Sequence, residues 1–260
     1  MPTALASDSR PREVPARVFL LSPANCSGRR AQQLLRAGAG GEMAARLRSA
    51  EGLPLGELFA FMSGLYFRGK LAYATRFAAP PNATQGTSSG VHIITPNSGL
   101  RRHDTVVRID DVRAFSEVSI DLANDAYRRP LEHSARDLLT QSGACQVVLL
   151  GSIASPKYVD VLLEIFGDRL CFPVAFVGRG DMSRGGLLLR QVAAGEELEY
   201  APIAGAVRHG AKPPRLPRLS PATQPLPRRR RSVVAVADAE VGSHHHDHHA
   251  KRPPKAEGGD

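Results

Sequence analysis

Residues 146–167 read QVVLLGSIASPKYVDVLLEIFG, and the segment changes its period part-way along. Residues 146–150 form a short, continuous apolar run, the pattern of a strand covered on both faces. Residues 151–155 are small and polar. Pro156 then stands at a first helical position behind Ser155, a good N-cap residue. Residues 157–166 carry apolar side chains at helical spacing, and Gly167 is a good stop. A second apolar run, 170–177, follows. Strand, helix and strand in this order are the unit of a parallel sheet.

Working outward, the same grammar recurs. Residues 17–21, Arg-Val-Phe-Leu-Leu, read as another buried strand that ends at Ser22-Pro23, and residues 91–95 as a further one closed by Pro96-Asn-Ser-Gly99. Residues 28–48 suit helix, with a break over 38–41. Residues 55–77 suit one long helix or two short ones, since Gly64 and Gly69 interrupt the apolar spacing. A short strand is expected over 105–109, a helix over 131–141, a loop over 178–186, a helix over 187–192 and a last strand over 197–202. The stretch 79–90 has loop composition and is expected to be mobile. The reading is an α/β fold: a mainly parallel sheet with helices on both faces, Rossmann-like and three-layered, followed by a disordered tail. The expected organisation is a flexible N-terminus over 1–16, one domain over 17–207 and a Pro-, Arg- and His-rich tail over 208–260.

Composition bounds the function. The 260 residues are 42% hydrophobic, enough for a real core, and carry a formal net charge of +9. From Arg208 onward there are eleven Lys or Arg against five Asp or Glu, so the basic character belongs largely to the tail. Three widely spaced cysteines, Cys26, Cys145 and Cys171, form no C-x-x-C pair, which suits free thiols in a reducing compartment. No apolar run approaches the roughly 18 residues of a spanning helix, and residues 1–17 hold no apolar core of signal-peptide length. The expected compartment is therefore the cytoplasm. The absence of Trp and an aromatic content of 5% argue against a base-stacking platform.

In open parallel sheets ligands bind beyond the carboxyl ends of the strands. That rule selects four loops rich in Gly, Ser and Asn: 22–28, 96–99, 151–155 and 178–186. Their candidate ligand-binding residues are Ser22, Asn25, Ser98, Gly151, Ser152, Lys157, Arg179 and Arg184. Ser152, Ser155 and Lys157 surround a helix N-terminus, which favours an anion, although Ser-Pro at a helix start is also ordinary capping. Arg179, Asp181 and Arg184 either grip a phosphate or carboxylate or tie their own loop together. Asp181 is the candidate catalytic carboxylate. In the stretch 63–70, the glycines suit close packing, and exposure of Tyr66, Arg68 and Lys70 to a pocket is left open. Cys26 as a nucleophile would need a base, for which His92, His103 and His133 are available without recognised pairing. Asp104, Asp110, Asp111 and Asp160 have no distinguishing spacing. No metal site is expected in the folded part. The cluster 244–249 would bind Ni²⁺ or Zn²⁺ in solution, and Arg228–Arg231 would touch nucleic acid or an acidic surface, or serve only to solubilise.

The order of these motifs resembles the YaaA-like (peroxide-stress) α/β proteins over roughly residues 17–190. The strand and polar loop at 18–28, the helix SGLYFRGKLAYA at 63–74, the strand and turn at 93–100, the strand–Gly–helix at 147–163 and the Gly-rich segment 172–180 carry the likeness. The first loop has Pro23-Ala-Asn25 where those relatives tend to carry Cys-Gly and basic residues. The resemblance implies an association with DNA or nucleotide metabolism and oxidative damage.

Two functional readings follow. In the first, a nucleotide- or nucleic-acid-related ligand binds over the strand ends, with Lys157 and Arg179 on an anion and Asp181 handling protons at a glycosidic or phosphate bond. In the second, the domain is a non-catalytic adaptor whose basic tail recruits nucleic acid or a protein partner. Cofactor and oligomeric state are left open by the sequence.

Overall fold

Val18 and Leu20 of the first strand face one side of a sheet, and Phe19 and Leu21 face the other; all four are buried. This is the mark of a strand covered on both faces. The computed structural model describes residues 16–36, 38–81 and 90–217. The expectations for the N-terminal segment, for residues 82–89 and for the tail from residue 218, with its Arg and His clusters, lie outside the described residues.

The elements in chain order are β1 (Arg17–Leu21), α1 (Arg29–Leu35), α2 (Glu42–Arg48), β2 (Leu53–Pro54), α3 (Leu55–Ser63), α4 (Leu65–Phe77), β3 (Val91–Ile94), β4 (Leu100–Arg102), β5 (Val106–Val107), α5 (Ile109–Glu117), α6 (Asp125–Ser142), β6 (Gln146–Leu150), α7 (Pro156–Phe166), β7 (Leu170–Pro173), α8 (Asp181–Ala194) and β8 (Tyr200–Pro202). One sheet has the order β4-β3-β1-β6-β7-β8. Its four central strands are parallel, and β4 and β8 close the edges antiparallel. β2 and β5 form a small antiparallel pair of their own.

The helices divide between the faces as the strand alternation requires. Phe19 and Leu21 pack with Leu34, Leu47, Leu58, Phe67, Phe115 and Leu188, which come from α1 to α5 and α8. Val18 and Leu20 pack with Tyr127, Leu131, Val159 and Leu162 of α6 and α7. The α/β fold with a mainly parallel sheet between two helical layers is therefore the one expected.

Local departures have local causes. The 55–77 stretch is two helices, because Gly64 takes φ +69°, a conformation that ends α3 and starts α4. The 131–141 helix begins at Asp125: Asn124 Oδ1 accepts from the Ala126 N–H, and the burial of Tyr127 holds the first turns despite Pro130 inside the helix. The strand over 170–177 stops pairing at Pro173 and turns into a short 3₁₀ segment, Val174–Phe176. The loop over 178–186 is a loop only to Gly180, and Asp181 opens α8. The last strand is limited to Tyr200–Pro202, and the one over 105–109 to two residues. The elements β2, β4 and α5 are not among those expected from the sequence. Among the described residues no helix is long and apolar enough to cross a membrane.

Candidate functional site

The sheet order sets the location. From β1 the chain adds β3 on one side and then β6 and β7 on the other. Such a reversal opens a crevice at the carboxyl ends of the two strands that flank it, here β1 and β6. Ser22 follows β1 and Gly151-Ser152 follows β6. They lie so close that a Cβ on Gly151 would stand 2.8 Å from Ser22 Cβ and 3.1 Å from the Tyr158 hydroxyl.

Two cavities share this crevice. One of about 350 Å³ is walled by Ser22, Asn25, Tyr66, Lys70, Ser152 and Asp181. The other, of about 640 Å³, is walled by Ser22, Asn25, Cys26, Phe115, Lys157 and Tyr158. Tyr158 borders both, and its hydroxyl accepts from the Ser152 N–H at 3.1 Å.

Lys70 is the unusual member. Its side chain lies on the apolar face of α4, four residues after Tyr66 and three after Phe67, whose rings stand 4.8 and 4.5 Å from Nζ. Nζ donates to the Ser22 carbonyl oxygen at 2.7 Å and lies 2.8 Å from Ser22 Oγ. The residue is 2% exposed. Among the described residues no carboxylate forms an ion pair with it. Burial lowers its pKa from the ordinary 10.5 to about 7, with Asp181 pulling upward and Arg184 downward.

Two glycines bring α8 to this wall. Gly185 packs against α4 at Tyr66 and Gly69, with no room for a side chain on either glycine. That contact sets Asp181 and Arg184, in the first turn of α8, beside Tyr66 and Lys70. Arg184 donates to the Phe176 carbonyl oxygen and lies 3.6 Å from Asp181. The Tyr66 hydroxyl is buried without a hydrogen-bond partner, and burial raises its pKa well above the ordinary phenol.

The structure sorts the sequence candidates. Ser22, Asn25, Gly151, Ser152, Lys157 and Asp181 gather around the crevice. Ser98 does not: its hydroxyl donates to Asn97 Oδ1 at 2.7 Å, and its N–H donates to Thr95 Oγ1. Arg179 spends its guanidinium on the Ala175 and Pro214 carbonyls and on Ser183 Oγ. The two arginines therefore tie α8 to its surroundings. Of the trio at 66–70, Tyr66 and Lys70 face the cavity, and Arg68 is exposed.

The remaining candidates have structural duties. The Cys26 thiol is buried and pushed up to about 12 by desolvation, the opposite of a reactive thiolate. His133 is exposed and lies beside Asp137. Asp104 pairs with Arg102, Asp110 with Arg113 and Asp160 with Arg208, while Asp111 accepts from the Arg108 N–H at the start of α5. Among the described residues no group of three or more His, Cys, Asp or Glu is placed to hold a metal ion.

No family model, no curated protein and no solved structure matches the chain.

Proposed function

We propose that the chain binds a nucleotide-related small molecule in the crevice between the carboxyl ends of β1 and β6. The observation that carries this reading is Lys70, a buried amine held against Ser22 at the switch point of the sheet. A buried lysine lacking an ion-pair partner is costly for the fold, and such groups concentrate where a ligand or reaction makes use of them. The cavity volumes, about 350 and 640 Å³, suit a ligand of nucleotide size. Lys157 at the start of α7 supplies a positive group on the larger cavity. The order of motifs resembling YaaA-like proteins favours the nucleotide class.

A thermal-shift screen of the full chain against nucleotides, nucleosides, bases and sugar phosphates tests it. A ligand at a hundred times its dissociation constant stabilises the fold by about 2.7 kcal/mol, well within reach of the method. The expected result is a rise in Tm with a nucleotide, reduced in Lys157→Met. A well-folded chain whose Tm is unmoved by every nucleotide, nucleoside and base overturns the reading, and attention then passes to the basic tail.

A further inference from the structure

We propose that Ser22 is a nucleophile and Lys70 its general base, and that the substrate is an ester borne by the ligand in the crevice. The inference rests on reading that crevice as the ligand site. It adds the chemistry and places it on Ser22 and Lys70 rather than on Asp181, the carboxylate singled out in the sequence.

The geometry of Lys70 admits a neutral amine. Such an amine has two N–H donors and one lone pair. Nζ has two polar neighbours on Ser22: the carbonyl oxygen at 2.7 Å, which only accepts, and Oγ at 2.8 Å, which can donate. Nζ donates to both atoms; with one N–H kept on the carbonyl, loss of a proton leaves a lone pair that can turn to the Ser22 hydroxyl. A serine held by a lysine is one of the recurrent solutions to nucleophile activation. Ser22 itself borders both cavities, and Gly151 packs against it so closely that a Cβ there would stand 3.2 Å from Ser22 Oγ.

The groups that face Lys70 come from four elements. Tyr66 and Phe67 come from its own helix, Ser22 from the end of β1, Asp181 and Arg184 from α8, and Tyr158 borders the same cavity from α7. Burial among the rings and the charge of Arg184 favour the neutral amine, and Asp181 opposes them. The Tyr66 hydroxyl is an unspent donor on this wall, kept protonated by burial.

The steps balance. Ser22 Oγ forms a bond to the ester carbonyl carbon while its proton passes to Lys70 Nζ, and the carbonyl π electrons move onto oxygen, toward the Tyr66 donor. The carbonyl re-forms, the bond to the alcohol oxygen breaks, and the Lys70 ammonium returns its proton to that oxygen. Water then attacks the acyl-serine by the same sequence, releasing a carboxylic acid and restoring Ser22. The net change is ester plus water to acid plus alcohol, with no redox step.

An alkyl fluorophosphonate, which forms a bond to serine oxygen and loses fluoride, is the probe. The full chain is treated between pH 6 and 9, and the adduct is located by peptide mass spectrometry. The expected result is one adduct at Ser22, with a labelling rate that rises about tenfold per pH unit below about 7 and levels above it. Lys70→Met is expected to label at least 100-fold more slowly, and Ser22→Ala not at all. A native wild-type chain left unlabelled at Ser22, or a rate flat across this pH range, overturns the proposal even where Lys70→Met does not fold. Nucleotide binding with an inert Ser22 removes this proposal alone. A labelled Ser22 without any nucleotide shift removes the nucleotide reading alone.

Discussion

A Cβ placed on Gly69 of α4 would stand 2.8 Å from the carbonyl oxygen of Gly185 on α8. The two helices touch at their backbones, and this contact brings the first turn of α8 to the wall of the crevice. The expected outcome for Gly185→Ala is a loss of about 1–3 kcal/mol, the usual cost of forcing a group into a packed interface. Gly186→Ala is the control, because its Cβ would meet only a Leu216 methyl at 3.8 Å. There the gain in helix propensity, up to about 1 kcal/mol, is expected to leave stability unchanged or higher. Urea unfolding of the two variants checks the contact, and equal effects would contradict it.

Lys70 gives stability a pH dependence whose sign is fixed. Its pKa falls from the ordinary 10.5 to about 7 on folding. Below pH 7 both states hold the proton, and the fold bears the cost of a buried charge. Between about 7 and 10.5 the unfolded chain holds more protons than the folded one, so stability rises with pH, by at most about 1.4 kcal/mol per unit. Lys70→Met lacks this slope. Urea unfolding at pH 6, 7.5 and 9 is expected to show the wild-type chain gaining on Lys70→Met as pH rises above 7. A constant difference would mean that Lys70 keeps its ordinary pKa.

Tyr73 anchors the C-terminal half of α4 by a different means. Its hydroxyl accepts from the Leu198 N–H at 2.7 Å and lies 2.6 Å from the Tyr200 hydroxyl. Tyr73→Phe keeps the ring packing against Phe19 and Phe77 but leaves a buried N–H without its acceptor. The expected cost is about 1–3 kcal/mol. Hydrogen exchange at the Leu198 amide gives the site-specific readout, and exchange is expected to quicken there before it does in β1.

Much of the fold was legible because parallel strands buried on both faces leave continuous apolar runs, as at 17–21 and 146–150, and because Ser155-Pro156 and Gly167 mark the ends of α7. The elements that were not legible are those defined by tertiary context. β4 has one buried residue of three, and β2 has only two residues. Gly185 looks like a helix breaker until α4 is placed against it. The crevice was half visible. The strand-end rule found Ser22, Asn25, Gly151, Ser152 and Lys157, since those positions follow directly from strand boundaries. It could not choose Lys70 over Arg68, although a signal exists: Lys70 falls in phase with the buried residues Phe67, Tyr73 and Ala74, where a lysine is out of place. It also placed Ser98 and Arg179 too generously, because backbone carbonyls and neighbouring side chains that occupy a polar group are invisible before the chain is folded.

The cysteines bear on the reading of the crevice, because Cys26 borders the larger cavity and invites a role as nucleophile. Its surroundings argue otherwise. Sγ lies 3.6 Å from the Ala24 carbonyl oxygen, and burial raises its pKa to about 12, so the thiolate is scarce at neutral pH. Cys145 and Cys171 are buried as well. Thiol–disulfide exchange needs both thiolate and access. At pH 8 the native chain is therefore expected to react with Ellman's reagent only as fast as the fold opens, and all three thiols are expected to react at once in guanidinium. A single fast thiol in the native chain, mapped to Cys26, would show that the segment after β1 opens to solvent and would return a thiol nucleophile to contention against Ser22. Slow reaction of all three removes Cys26 from the nucleophiles this crevice could offer.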